Sequence, residues 1–144
     1  DIDTTSDRDC AQLVDHAVTA LVEPSLVRPT ILHDYPIELS PFARTTDDDP
    51  AIVERFEFFV GGTELGTAFS ELNDPDEQQE RFAAQQAMEG GEPGDPDYVE
   101  ALSYGMPPTG GLGLGIDRLA MVLTGRDTIR DMQLFPALRP RSES

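Results

Sequence analysis

Three groups of residues in this sequence have types and spacings that can do chemistry. The first is Arg118, which follows the run Gly110-Gly111-Leu112-Gly113-Leu114-Gly115-Ile116-Asp117. A strand that gives up its side chains at Gly111, Gly113 and Gly115 lets a ligand lie flat against its backbone. Arg118 falls where that strand gives way to a helix-like apolar spacing, a place where a planar guanidinium suits a phosphate. The alternative is a buried strand whose glycines admit a packed helix, with Arg118 in a structural ion pair. The second group is the pair Glu57 and Glu64, an oxygen set of the kind Mg²⁺ takes when it is held mostly by nucleotide phosphates. The third is Phe69 and Glu71, an apolar wall and a carboxylate two residues apart. The run at Arg118 is neither the Walker pattern, which needs a lysine this chain lacks, nor the strict dinucleotide fingerprint.

These residues need a hairpin and a strand–helix junction to place them. Glu54 to Val60 and Thr63 to Glu71 are strand-like runs joined by Gly61-Gly62, a strong two-residue turn signal. With that turn, Val60 pairs with Thr63 and Phe59 with Glu64, so Glu57 lies on the face of Glu64, one step diagonal to it. Two carboxylates on one face repel unless a cation or an arginine stands between them, although a hairpin in water tolerates them as well. Strict alternation puts Phe69 and Glu71 on the face opposite Glu64. They join one site only if the strand bulges, and Gly66 is the expected place. Asp117 is the expected cap of the helix that carries Arg118.

Elsewhere the pattern predicts a helix over 8–23 that Pro24 stops, then an edge strand or strand start over 26–32, which contains Pro29. His33-Asp34-Tyr35-Pro36 reads as a turn, Ser40-Pro41 as a break and 45–50 as an acidic loop. A helix starts at Pro75 with Asp74 as cap and runs to about Met88, followed by an acidic glycine-rich loop. A shorter helix covers 97–104 with Gly105 as its stop. His16 and His33 are isolated, with no metal-ligand spacing around them.

The 144 residues suffice for one domain, and no apolar run reaches the length of a membrane helix. The chain opens on acidic, polar residues without a methionine or a signal-peptide pattern, as expected of a fragment or a processed chain. The single cysteine, Cys10, excludes an internal disulfide framework and fits a reducing cytoplasm. The net charge is −18 and all 10 basic residues are arginine. Such a charge opposes nucleic-acid affinity, and it is the balance expected of a protein adapted to molar salt.

Three runs carry a family resemblance. Glu54-Arg55-Phe56-Glu57-Phe58-Phe59, then Glu64-Leu65-Gly66-Thr67-Ala68-Phe69-Ser70-Glu71-Leu72-Asn73-Asp74, then Gly113-Leu114-Gly115-Ile116-Asp117-Arg118-Leu119 resemble the end of a class II lysyl-tRNA synthetase. The closing Thr128 to Asp131 and Phe135 to Pro140 are similar to that family's C-terminus. The resemblance implies an α+β fold, an antiparallel sheet flanked by helices, and an ATP-dependent ligase. Lysine would be activated to lysyl-adenylate and passed to tRNA(Lys). It implies that Arg118 grips the ATP γ-phosphate as a catalytic residue, with Gly113, Gly115 and Asp117 also at the nucleotide. Glu57 and Glu64 would hold Mg²⁺ on ATP, and Thr67, Phe69 and Glu71 would form the lysine pocket. Thr67 stands where many members have asparagine.

By the same resemblance, residues 1–144 are the C-terminal part of a catalytic domain that includes motif 3. Motifs 1 and 2 and the anticodon-binding domain lie outside it. The fragment alone is then expected to be inactive, with an open sheet edge. The full enzyme is expected to be a cytoplasmic homodimer that is not membrane-bound. Rival readings are a paralogue that uses lysyl-adenylate to modify a protein such as elongation factor P, and a non-catalytic truncated module.

Overall fold

The structure, a computed structural model, describes residues 10–87 and 94–135. The expected cap-to-stop helix at the N-terminus is shorter and less regular than its apolar spacing suggests. Helix α1, Cys10–Ala17, passes into a wider π turn over Val18–Val22 and then a tight 3₁₀ turn over Glu23–Ser25 that contains Pro24. Strand β1, Thr30–Pro36, begins just after Pro29, which lacks the N–H a ladder needs. Strands β2, Ile52–Val60, and β3, Thr63–Ser70, form the hairpin, and β4, Gly110–Leu114, adds the glycine strand. The four strands make one antiparallel sheet in the order β1-β2-β3-β4.

Helix α2, Pro75–Ala87, starts where expected: the Asp74 carboxylate accepts from the backbone N–H groups of Asp76 and Glu77, at 2.9 and 3.2 Å. The expected end near Met88 lies outside the described residues, as do the acidic loop at 88–93 and residues 136–144. Helix α3, Pro96–Ser103, is capped by Asp95, one residue earlier than expected, and ends before Gly105 at φ 103°. Helix α4, Ile116–Thr124, leaves β4 directly and stops at the left-handed Gly125. Among the described residues no helix is long and apolar enough to cross a membrane.

Two irregularities of register decide which side chains share a face. The Gly61-Gly62 turn has both residues left-handed, at φ 64° and 70°, and pairs Val60 with Thr63 and Phe59 with Glu64 as the sequence predicts. The ladder then slips: Phe58 pairs with Gly66 and Glu57 with Thr67, leaving Leu65 as the extra residue. The bulge therefore sits one residue before Gly66. Gly66 serves a different need, because a Cβ there would stand 2.2 Å from the Gly113 carbonyl oxygen and 2.8 Å from the Phe58 ring. Replacing Gly66 with alanine should destabilise the fold by about 2 kcal/mol, since backbone cannot move aside cheaply. A lower urea midpoint would report this, and an unchanged midpoint would refute the packing argument.

The second slip corrects a sequence reading. His33 to Pro36 is not a turn but the second half of β1. The turn-like signal reflects Asp34, whose φ of 67° shifts the register between His33, opposite Phe56, and Tyr35, opposite Val53. That shift turns Tyr35 onto the face of Val53 and Glu57.

A core of Tyr35, Ala43 and Val53, with Leu32, Ile37, Leu39 and Phe69 against it, closes the β1–β2 end of that face. Phe59, 0% exposed, anchors the other end, and full burial of such a ring contributes about 2–3 kcal/mol. Helix α2 is tied to the connecting segment at 41–43: Gln78 Nε2 donates to the Pro41 carbonyl at 3.1 Å, and the buried Arg81 donates to the Ala43 carbonyl and pairs with Glu77. Phe42, Phe82 and Tyr98 meet edge-on and join α2 to α3. The opposite sheet face carries Ile31, Phe58 and Leu114 in one cross-strand row and Phe56 and Leu112 in the next.

Candidate functional site

The bulge at Leu65 gathers the candidate residues. Pairing runs Arg55 opposite Phe69, Glu57 opposite Thr67 and Phe59 opposite Glu64. Thr67 and Phe69 in turn stand opposite Gly113 and Gly111. One face therefore carries Glu57, Glu64, Thr67 and Phe69 above a floor of glycine. Glu71 joins it just past the end of β3, where a Cβ on Gly111 would meet the Glu71 Oε1 atom at 2.1 Å. The three glycines of the floor do different things. Gly111 makes room for Glu71, Gly115 lies under Arg118, whose Cδ would be 3.4 Å from an added Cβ, and a Cβ on Gly113 would meet the Thr67 carbonyl oxygen at an ordinary contact distance of 3.8 Å.

Glu71 is half-buried, and among the described residues no ion pair reaches its carboxylate. Burial pushes its pKa up. A cleft of about 290 Å³ beside it is lined by Arg44, Ser70, Asn73, Pro108, Thr109 and Gly110. A roomier cavity of about 750 Å³ between α2 and α3 touches none of the candidate residues. The slot of interest is set by the carboxylate rather than by volume.

At the other end of the face, Arg118 Nη1 donates to the Glu64 carboxylate at 2.8 Å and to the Glu64 carbonyl at 3.0 Å. Their side chains are 46% and 33% exposed, so this pair is screened and weak. The Gly115 N–H donates to the Leu65 carbonyl at 2.8 Å, which locks the bulge to the strand–helix junction that presents Arg118. Asp117 is not the cap of α4. Gly115 occupies that position, with no side-chain cap, because the chain enters the helix two residues before the place where Asp117 would cap it. Asp117 is exposed in the first turn, where its charge suits the helix dipole, and no described contact brings it to the face.

Two residues of the face escape the sequence reading. Arg55 pairs with Glu57 and donates from Nε to Thr67 Oγ1 at 3.3 Å, and Tyr35 donates from its hydroxyl to Glu57 Oε2 at 2.7 Å. Burial first, and then the bond to Glu57, push the Tyr35 pKa well up, so the phenol keeps its proton. Strand alternation alone puts Arg55 beside Glu57, a signal present in the sequence. Tyr35 was hidden by the misread turn. Among the described residues no three His, Cys, Asp or Glu side chains converge as a metal cage. Two carboxylates with free lone pairs remain a fitting donor set for Mg²⁺ whose other ligands are phosphate oxygens and water.

Comparisons with known proteins identify relatives of this chain. Residues 6–139 match the profile of tRNA synthetases class II (D, K and N). A lysine–tRNA ligase of Xanthomonas oryzae pv. oryzae is 56% identical over 85% of this chain and 25% of its own length. Those of Vibrio parahaemolyticus and Aliivibrio fischeri are 49% and 48% identical, over 92% and 98% of this chain and 27% and 29% of theirs. The chain thus spans about a quarter of the length of the curated relatives it matches.

Proposed function

Because this chain belongs to the class II tRNA synthetases of the D, K and N group, we propose that it is the C-terminal part of a lysine–tRNA ligase catalytic domain, with motif 3 at the glycine strand and Arg118. The observation that supports the reading is the bulge at Leu65, which brings Glu57, Glu64, Thr67 and Phe69, with Glu71 just past the strand, to one sheet face beside the glycine strand. Glu71 pairs with the lysine side-chain ammonium, Phe69 lies along its methylenes, and Thr67 offers a hydroxyl nearby. ATP lies over Gly113 and Gly115 with Arg118 on its γ-phosphate. Glu57 and Glu64 hold the Mg²⁺ that offsets phosphate charge.

The reaction is attack of the lysine carboxylate on the ATP α-phosphorus, which gives lysyl-adenylate and pyrophosphate. A hydroxyl of the terminal adenosine of tRNA(Lys) then takes the lysyl group, and AMP leaves. This chain's residues contribute orientation and charge neutralisation. The whole enzyme is taken to be a cytoplasmic homodimer, and the lone Cys10 supports a reducing compartment. The charge of −18 without a single lysine supports adaptation to molar salt.

The amino-acid assignment has a direct test. Isothermal titration in molar KCl, after circular dichroism establishes folding, should show binding of L-lysine and Mg²⁺-ATP but not of L-aspartate or L-asparagine. Aspartate binding in preference to lysine would sink the assignment within the family.

A further inference from the structure

Arg55 is the cation set deepest in the candidate face. Nη1 donates to the Leu39 carbonyl at 3.0 Å and to Ser40 Oγ at 2.6 Å, Nε to Thr67 Oγ1 at 3.3 Å, and Nη2 to Glu57 Oε1. Its guanidinium carbon also lies 4.6 Å from the centre of the Tyr35 ring. Glu57 is held on both oxygens, by Arg55 and by the Tyr35 hydroxyl. The Arg55 and Glu57 side chains are 20% and 12% exposed, against 46% and 33% for Arg118 and Glu64. Among the described residues Arg118 is held by Glu64 alone, whereas Arg55 is fixed by groups from β1, β2, β3 and the 39–40 segment.

Resting on the reading of Glu57 and Glu64 as the metal carboxylates, we propose that Arg55 is a positioning residue that makes divalent-cation binding at Glu57 conditional on the nucleotide. Two glutamates and two arginines leave this part of the face without net formal charge, so a bare divalent cation gains little by entering. Phosphates bring the missing negative charge and draw the weakly held Arg118 away from Glu64. Arg55 stays, and each Glu57 oxygen keeps a lone pair for the metal. In a protein of net charge −18, such compensation prevents bare metal from loading the face ahead of nucleotide.

The test uses Mn²⁺ alone, followed by electron paramagnetic resonance, on the 144-residue chain at the lowest KCl that keeps it folded. Arg55→Gln should create a site at least about tenfold tighter than any in the wild-type chain, and the double variant Arg55→Gln, Glu57→Gln should lose it. Arg44→Gln, which removes an arginine paired with Glu54 rather than with Glu57 or Glu64, should create none there. No new site in folded Arg55→Gln, or an equal one in Arg44→Gln, overturns the proposal.

Amide NMR of the wild-type chain gives a reading that needs no folded variant. Mn²⁺ should broaden the Glu57 amide only when ATP is present, and broadening by Mn²⁺ alone overturns the proposal. If Arg55→Gln gains its site but ATP never brings Mn²⁺ to Glu57, the nucleotide reading fails while Arg55's suppression of bare-metal binding stands.

Discussion

Replacing Glu71 with glutamine should lower the affinity for L-lysine about a hundredfold while leaving the unliganded chain slightly more stable at neutral pH. The affinity change follows from losing a charge-assisted pair in a half-buried slot, about 3 kcal/mol, at 1.4 kcal/mol per factor of ten. The stability change has the opposite sign for the same reason. Burial raises the Glu71 pKa in the folded chain, so folding favours the protonated form. The stabilisation is fully present below the unfolded-state pKa and is lost as pH rises through the folded-state pKa. At neutral pH the ionised carboxylate is therefore a cost, which glutamine removes and which the bound ammonium offsets. Lysine affinity of the wild-type chain should accordingly begin to fall, on acidification, above the ordinary carboxylate range. Titration calorimetry across pH and thermal melts of both forms check these outcomes. Glu71→Gln that binds lysine as well as wild type would remove Glu71 from the pocket.

Replacing Arg118 with alanine should weaken Mg²⁺-ATP binding by about 3 kcal/mol, more than a hundredfold, and leave stability almost unchanged. The two halves separate the readings that the sequence leaves open. The pair with Glu64 is too exposed to hold much of the fold together, about 1 kcal/mol at most. The same guanidinium on a phosphate, over a glycine floor, makes shorter and stronger bonds. Lysine at 118 should not restore affinity, because a point charge lacks the planar fork. Calorimetry with Mg²⁺-ATP and a melting curve suffice. A large fall in melting temperature with ATP binding preserved would make Arg118 the structural ion pair of the alternative reading.

Much of this arrangement is legible in the residues because local rules determine it. Gly61-Gly62 fixes the turn and the first two pairs of the ladder, and Asp74-Pro75 fixes the start of α2. The need for a bulge is legible as well, since alternation cannot otherwise bring Glu64 and Glu71 to one face. Its place is not, because the glycine that marks it most visibly is required by tight contact with Phe58 and β4. Asp34 misleads for a related reason. A left-handed aspartate looks the same in sequence whether it ends a strand or slips its register, and only the pairing with β2 distinguishes the two. Asp117 reads as a cap because carboxylates favour both the cap and the first turn, and Gly115 already occupies the cap. Arg55 is legible beside Glu57 from alternation, but its burial is not, because Leu39, Ser40 and Tyr35 close around it only in the fold.

The bulge at Leu65 makes the site a matter of parity. Side chains along β3 are assigned to the two sides of the sheet by odd and even count from the Gly61-Gly62 turn, and Leu65 is the single uncounted residue that resets it. Loss of one codon there would leave the turn, the carboxylates and the glycine strand all encoded. Plain alternation would then set Glu64 and Thr67 two steps apart, so Thr67, Phe69 and Glu71 would stay on the face of Glu64. The site therefore depends on Leu65 standing out of the count: were the ladder to take it up as an ordinary pair, Glu64 and the group from Thr67 to Glu71 would be divided between the two faces.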